Sequence, residues 1–541
     1  MPALNSTHRI VRQTAATAVA VVLGSGTVQE WPEMVTSVLA CLDGQGSGAI
    51  LEGCCDLVLK LLEDYPGEMD ARLPGTGKPL SEQLIPGLVG VIGGAHEARI
   101  KRLALEALRV LAQAGCQGLT EPNVQSYRDA LFRLALDTSQ AAVRAPVCQG
   151  LVLLLRIRPD VLERDIHSIA QYMFQETQSQ DQDTALSACE FWSAYCEHQL
   201  PPDTLRPLLP ALIGVLLRHM CYEPDHEDVL EAEAAEAGQE REEELRPHMP
   251  KGSTFSAEDE GEDGAGEGHG QQEEDEGERE YNLRQSSAYA LDQLAQVFGD
   301  ELLPPLMPQV QERLQSRRWQ DKEAAILALG AVINGCFSGL MPHVPEVVSM
   351  LIPMLAPEQH PCIRKISCWT AGRYSEFVVR RIFEGHSEAP GQLDSLLQAL
   401  GSRMADHNSL VQQAACSGLA MLAEGSGGAL TSRLPALVQV CQWALGAYSR
   451  RSLRGLYDAI AAICGNDALG AALGSDRALC GQLLDPLLQR LAATQDLDRE
   501  LIPLLECIGT VASGVGSAFD QAAKVRDQCL PWLPCPGAAC L

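Results

Sequence analysis

Aromatic side chains are scarce, 5% of 541 residues, while Leu, Ala and Gly are plentiful. That composition suits tightly packed helices better than sheets. Basic residues are also short: 41 Lys and Arg stand against 71 Asp and Glu, a formal net charge of −30. Such a chain repels a phosphate backbone and attracts basic partners, which argues against direct nucleic-acid binding. No apolar run approaches the roughly 18 residues of a membrane span, and the N-terminal "MPALNSTHRIVRQ" lacks the apolar core of a signal peptide. Catalytic signatures are missing as well. There is no Gly-rich phosphate loop, GxSxG or HExxH, and the 12 histidines are scattered. His248, His269, His343 and His360 read as solvated loop or helix-start residues. A non-enzyme without a cofactor is expected.

The 19 cysteines form no CxxC pair matched by a second pair or by histidines, so no metal site is predicted. Cys148, Cys189, Cys368 and Cys416 sit inside apolar helical runs, as small buried hydrophobes do in a reducing compartment, cytosol or nucleus.

What is present is helical periodicity. Apolar residues recur at i, i+3, i+4 and i+7, broken by short Pro, Gly or Asp turns. Two segment types alternate. The first begins near a proline and is rich in Leu and Val: "LIPGLVGVIGG" from Leu84, "LRPLLPALIGVLLRHM" from Leu205, "LMPHVPEVVSMLIPMLA" from Leu340 and "LTSRLPALVQVCQWAL" from Leu430. The second is rich in Ala, Ser and Cys: "ARIKRLALEALRVLAQ", "AVRAPVCQGLVLLL", "TALSACEFWSAYCE", "CIRKISCWTAGRY" and "LVQQAACSGLAMLAE". Ile100 and Val143 in this second type are 43 residues apart, Ile363 and Val411 48 apart. Such periods fit helix-pair repeats of the HEAT or armadillo class. A lone pair cannot bury both apolar faces, so pairs stack into a superhelix with a continuous core. The predicted fold is all-α, a HEAT-repeat superhelical solenoid rather than unrelated helical bundles in tandem.

One stretch breaks the alternation. Between Glu223 and Glu280 lie 23 acidic and 4 basic side chains, and most of it carries too little apolar surface to order itself. It follows a first-type helix and precedes the second-type "NLRQSSAYALDQLAQVF", so it reads as a long acidic disordered loop inside one repeat.

Some side chains do not look like core. In "KISCWTAGRYSEF", Ile366, Trp369 and Arg373 fall at i, i+3 and i+7 and share a helix face, while Ile363, Thr370, Tyr374 and Phe377 can supply the packing. Trp369 alone is as readily core as surface. Asp292, Glu424, Asp458 and Glu506 recur at comparable places on second-type helices. Each either pairs locally or snorkels, or together they line an acidic groove suited to an extended basic peptide with an aromatic anchor.

At these residues the chain resembles the transportin (karyopherin-β2) family of nuclear import receptors. The matching motifs are "WPEMV" at Trp31, "TQSQDQDTAL" at Thr177, "ACEFWSAYCE" at Ala188, "LRP" at Leu245, "NLR" at Asn282, "ISCWTAGRY" at Ile366, "VQQAACSGLAML" at Val411, "LYDAI" at Leu456 and "PLLECI" at Pro503. The resemblance implies binding of basic, extended nuclear localisation signals ending in Pro-Tyr, on cargo such as RNA-binding proteins. It also implies passage through the pore on nucleoporins, shuttling between cytoplasm and nucleus, and release of cargo by the small GTPase Ran in its GTP form.

Carried over residue by residue, the Pro-Tyr pocket falls on Tyr289, Asp292, Leu327, Ala331, Ile366, Trp369 and Arg373. The acidic surface for the signal's basic part falls on Met421, Glu424, Asp458 and Glu506, where carboxylates suit a guanidinium. The release loop falls on Glu258, Asp259, Glu260, Glu273, Glu274, Asp275 and Glu276. Tyr289 stands where the family has a small residue, Met421 replaces a Thr and Gly465 an Asp. Residues 1–221 are expected to be the Ran-side repeats with the first ones missing, 222–280 the acidic loop, 281–530 the cargo-binding repeats and 531–541 a tail outside the family pattern. The resemblance thus implies truncation at both ends. Other classes remain: a HEAT scaffold of the phosphatase-regulatory type, or an acidic histone chaperone using the insert itself.

Overall fold

A computed structural model describes residues 2–46, 48–73, 76–137, 141–222, 282–495, 498 and 500–519. Residues 223–281, which hold the expected release-loop positions Glu258 to Glu276, lie outside the described residues. What is described is α-helix, short 3-10 turns, one π turn and a single isolated bridge between Arg72 and Pro79. The chain divides into two compact units, Met1–His219 with Tyr281–Leu302, and Met220–Glu280 with Leu303–Leu541.

In the first unit, α1 (Arg9–Ser25), α2 (Pro32–Ala40) and α3 (Ala49–Asp64) precede four antiparallel pairs: α4 (Leu80–Gly93) with α5 (Ala98–Gln113), α6 (Glu121–Leu136) with α7 (Arg144–Ile157), α8 (Ile166–Thr177) with α9 (Gln182–Glu197), and α10 (Leu209–His219) with α11 (Leu283–Phe298). The second helices α3, α5, α7, α9 and α11 touch in succession, as solenoid packing requires. The helices on either side of residues 223–281, α10 and α11, pack on each other as one pair.

The second unit repeats the scheme. Its pairs are α12 (Leu303–Leu314) with α13 (Trp319–Val332), α14 (Phe337–Leu340) and α15 (Val344–Met354) with α16 (Pro361–Phe383), and α17 (Ala389–Met404) with α18 (Ser409–Gly425). Then follow α19 (Leu434–Ala447) with α20 (Arg450–Gly465), and α21 (Asp467–Ser475) and α22 (Arg477–Ala493) with α23 (Leu501–Val515). Here α13, α16, α18, α20 and α23 form the continuous row of second helices.

The first-type segments read from periodicity fall on the first helices of pairs, α4, α10, α15 and α19, and the second-type segments on the second helices, so the all-α HEAT-repeat reading holds. Side-chain caps mark several starts. Asn282 and Gln285 make a reciprocal capping box at α11, and Asp181, Asn408, Asn466 and Asp476 accept from the first backbone N–H groups of α9, α18, α21 and α22. Small residues set the spacing of the second helices: a Cβ on Gly372 of α16 would stand 2.9 Å from the Cα of Gly418 on α18, so the two backbones meet there directly. Fifteen of the sixteen described free thiols are buried, Cys148, Cys189, Cys368 and Cys416 included.

Between repeats of the second unit a buried ion cluster ties loop to helix. Arg364 grips Asp406 with two hydrogen bonds of 2.9 and 2.8 Å, and Arg403 adds a third at 2.6 Å. Burial alone would raise the Asp406 pKa; the hydrogen bonds from Arg364 and the Asn408 backbone, with the charges of Arg364 and Arg403, hold it below the usual carboxylate range.

Candidate functional site

Helix α16 carries the feature that organises the surface. Ile363, Thr370, Tyr374 and Phe377 are buried and supply the packing. Thr370 Oγ1 donates to the Ile326 carbonyl at 3.2 Å and Tyr374 Oη to the Leu329 carbonyl at 3.4 Å, which fixes the register of α16 against α13. Leu327 and Ala331 lie one turn apart on α13, which packs against α16, the helix that carries the other stripe, Ile366, Trp369 and Arg373. Leu327, Ala331 and Ile366 are nearly buried, whereas Trp369 and Arg373 are half-buried. Trp369 is therefore a wall of the surface rather than interior filling.

Two contacts set the Trp369 ring in place. Its edge lies on the backbone at Gly330, where a Cβ would come within 2.3 Å of Cζ3, so only glycine fits under the indole as it stands. The Arg373 guanidinium carbon sits 5.1 Å from the ring centroid, a cation over an aromatic face. Met421 extends this apolar surface from α18; its Sδ would be 3.0 Å from a Cβ on Gly372, next to Arg373.

Further along the same row the surface turns acidic. Glu424 on α18, Asp458 on α20 and Glu506 on α23 are all exposed. Partial desolvation and the negative charge of Glu506 raise the Asp458 pKa, against the opposing pull of Arg454. Asp458 and Glu506 thus sense each other across two helices, an arrangement that a cationic ligand would relieve. At Gly465, where the resemblance expects an Asp, an added Cβ would meet only Thr510 Cγ2 at 3.5 Å, an ordinary contact.

The second unit therefore carries Leu327 and Ala331 on α13, Ile366, Trp369 and Arg373 on the adjoining α16, Met421 and Glu424 on α18, Asp458 on α20 and Glu506 on α23. Tyr289 and Asp292 belong to the first unit, on α11, one turn apart. Tyr289 is 41% exposed, and its hydroxyl donates to Glu197 Oε1 at 3.0 Å across α9 and α11. Burial and the Glu197 carboxylate raise the Tyr289 pKa, so it stays a neutral donor. Reasoning from sequence passed over Gly330, Gly372 and Glu197. The excess of small residues in second-type helices was the available signal for the two glycines.

A HEAT-like repeat family model matches residues 319–374, the span that carries Leu327 to Arg373. Transportin-1 of Oryza sativa subsp. japonica is 36% identical over 98% of this chain and 58% of its own length. Transportin-1 of Mus musculus is 35% identical over 94% of this chain and 55% of its own. Importin subunit beta-2 of Schizosaccharomyces pombe is 32% identical over 95% and 57%.

Over the length it spans, this chain is a homologue of the transportins.

The resemblance read from its motifs thus extends over nearly the whole sequence, and the chain spans between 55% and 58% of these transportin-family relatives. By name they are transport receptors, not enzymes. Among solved structures, Kap121p bound to Pho4p aligns with a TM-score of 0.62 at 19% identity, over 98% of this chain and 50% of that one. Importin beta aligns at 0.56 and 16%, over 97% and 66%. At these identities the two structures speak for the fold alone.

Proposed function

We propose that this transportin homologue is a nuclear import receptor whose second-unit surface binds basic proline-tyrosine signals. The observation that carries the reading is the sequence of surfaces along one row of helices: Trp369 under a guanidinium, with Leu327, Ala331 and Ile366 on the same two packed helices, then the exposed carboxylates of Glu424, Asp458 and Glu506. The apolar wall suits a proline ring and an aromatic side chain, and the carboxylates suit the preceding Arg and Lys. Tyr289 and Asp292, on α11 of the first unit, are proposed as further cargo-contacting residues. The cargo is the signal of a nuclear protein, RNA-binding proteins among them. The receptor moves between cytoplasm and nucleus on nucleoporins, and Ran-GTP, acting through the acidic stretch around Glu258–Glu276, releases the cargo. Binding is reversible and involves no chemistry on the ligand.

The test is a fluorescence titration of a proline-tyrosine peptide at fixed salt. Trp369→Ala with Asp458→Ala is expected to abolish binding; unchanged affinity would overturn the site. Deleting residues 223–280 separates this reading from a histone chaperone. The deletion should leave peptide affinity unchanged and slow release by Ran-GTP, whereas a chaperone would lose its basic partner altogether.

A further inference from the structure

Beside the Trp369 surface lies an open pocket of ≈ 230 Å³, lined by Asn334, Phe337, Glu376, Phe377 and Arg380. Phe337 and Phe377 pack with ring centroids 5.2 Å apart, and the Arg380 guanidinium carbon stands 4.6 Å from the Phe337 centroid. Arg380 Nε donates to Glu384 at 3.1 Å, which holds the guanidinium over the ring. Asn334, Glu376 and Arg380 are exposed at the rim, while Phe377 is buried at the base.

The pocket is not isolated from the candidate site. Trp369, Arg373, Glu376 and Arg380 fall at i, i+4, i+7 and i+11 of α16, one continuous face. On the opposite wall Asn334 follows Leu327 and Ala331 by two turns and less than one turn, just past the end of α13. The guanidinium-over-aromatic arrangement of Arg373 and Trp369 is therefore repeated two helical turns on by Arg380 and Phe337.

We propose that this pocket is a second compartment of the same groove and takes the residue after the tyrosine of a proline-tyrosine signal, with a preference for an apolar side chain; the proposal rests on the proline-tyrosine reading of the groove. The direction follows from the placement of charge. A basic arm held at Glu424, Asp458 and Glu506 approaches α16 from the α18 side, so the residues C-terminal to the Pro-Tyr pair stay between α13 and α16. The chemistry follows from the lining. An extended peptide presents an N–H and a carbonyl at each residue. The Asn334 amide can donate to one and accept from the other, and Glu376 can accept from an N–H, while an apolar side chain gains contact with Phe337 and Phe377. Glu376 and Glu384 disfavour an acidic residue at that position.

Three amidated peptides with the same basic Pro-Tyr sequence test this, one ending at Tyr, one extended by Gly and one by Leu, titrated against the full chain by fluorescence anisotropy. The Leu peptide should bind about five- to tenfold tighter than the other two, the effect of burying one apolar side chain in part. Phe337→Ala should remove that gain and leave the Tyr-terminated peptide unchanged. Asn334→Ala, at an exposed position that does not bear on folding, should remove part of it. Equal affinities of the three peptides for the unmodified chain would overturn the second compartment and leave the groove reading standing. Absence of binding by all three would overturn both.

Discussion

Asp406 and Asp458 belong to neighbouring repeats of one unit, and their surroundings push them in opposite directions. Asp406 is 6% exposed, held by Arg364 and Arg403, and its pKa is lowered. Asp458 is exposed on the face of α20, partly desolvated and repelled by Glu506, and its pKa is raised. The first carboxylate has its charge satisfied inside the protein and fastens one repeat to the next. The second is disfavoured in its charged form by partial desolvation and by Glu506, with Arg454 pulling the other way. One carboxylate lies in a loop and is tied into the scaffold, the other lies on a second helix and is the one proposed to face a partner.

Removing each carboxylate in turn should produce the largest contrast. Asp406→Ala leaves Arg364 buried without its partner and should destabilise the surrounding repeats by about 3–5 kcal/mol. Hydrogen exchange of α16 to α18 is the fitting measurement, since opening in a repeat array is local. Asp458→Ala should leave the same amides protected, within about 0.5 kcal/mol. Equal loss of protection in both variants would erase the distinction.

Next in size is the seat of Trp369. Gly330→Ala drives a Cβ to within 2.3 Å of the indole, so the ring must move. A displaced central aromatic anchor costs about 2 kcal/mol or more of binding, roughly thirtyfold in peptide affinity. Gly509 has open space around it, and Gly509→Ala should leave affinity unchanged while raising the melting temperature slightly, as alanine does within a helix. A Gly330→Ala protein that melts normally but binds at full strength would show that the ring position is not used.

Acid should separate the two aspartates as well. Asp406 has a folded pKa below its unfolded one, so its stabilisation is complete above the ordinary carboxylate range and is lost only as pH falls through the lowered value. Asp458 has a raised pKa, so its charge goes first on acidification. Affinity for a basic peptide should therefore decline while α16 to α18 are still protected. Asp458→Asn should flatten the first decline and leave the second untouched. Coincident loss of binding and protection in the unmodified chain would contradict the assignment.

How much of this was legible in the sequence depends on the physics of each feature. The two helix types, their pairing and the stripe Ile366, Trp369, Arg373 depend on spacing within one helix, and spacing is written directly in the chain. The seat at Gly330 is different: it depends on which residue of α13 lies under a ring 39 positions later, a register set by Thr370 and Tyr374 reaching the carbonyls of Ile326 and Leu329. The Arg364 and Asp406 pair spans 42 positions and the Tyr289 and Glu197 contact 92, with nothing local to announce either. Periodicity also left open whether Trp369 is core or surface. Its half-buried position goes with Gly330, whose missing side chain leaves room for the edge of the indole against the neighbouring helix.

The smallest expected effect comes from adding a carboxylate instead of removing one. Gly465 is the one place on α20 where the resemblance expects a carboxylate and finds none, and its Cβ direction is open apart from Thr510. Gly465→Asp would add a negative charge to the row that already holds Asp458 and Glu506. Two opposing consequences compete: tighter binding of a basic peptide, and stronger repulsion within the row. At an exposed site each is worth a fraction of a kcal/mol. Gly465 is the last residue of α20, where an Asp faces the negative end of the helix, so the fold should lose no more than about 1 kcal/mol. Peptide affinity at low salt should rise about two- to threefold, and the gain should vanish at high salt, where exposed charges are screened. A gain that persists at high salt would mean that the introduced carboxylate contacts the peptide in a desolvated setting, and would move this position from the open acidic face into the closed part of the groove with Trp369.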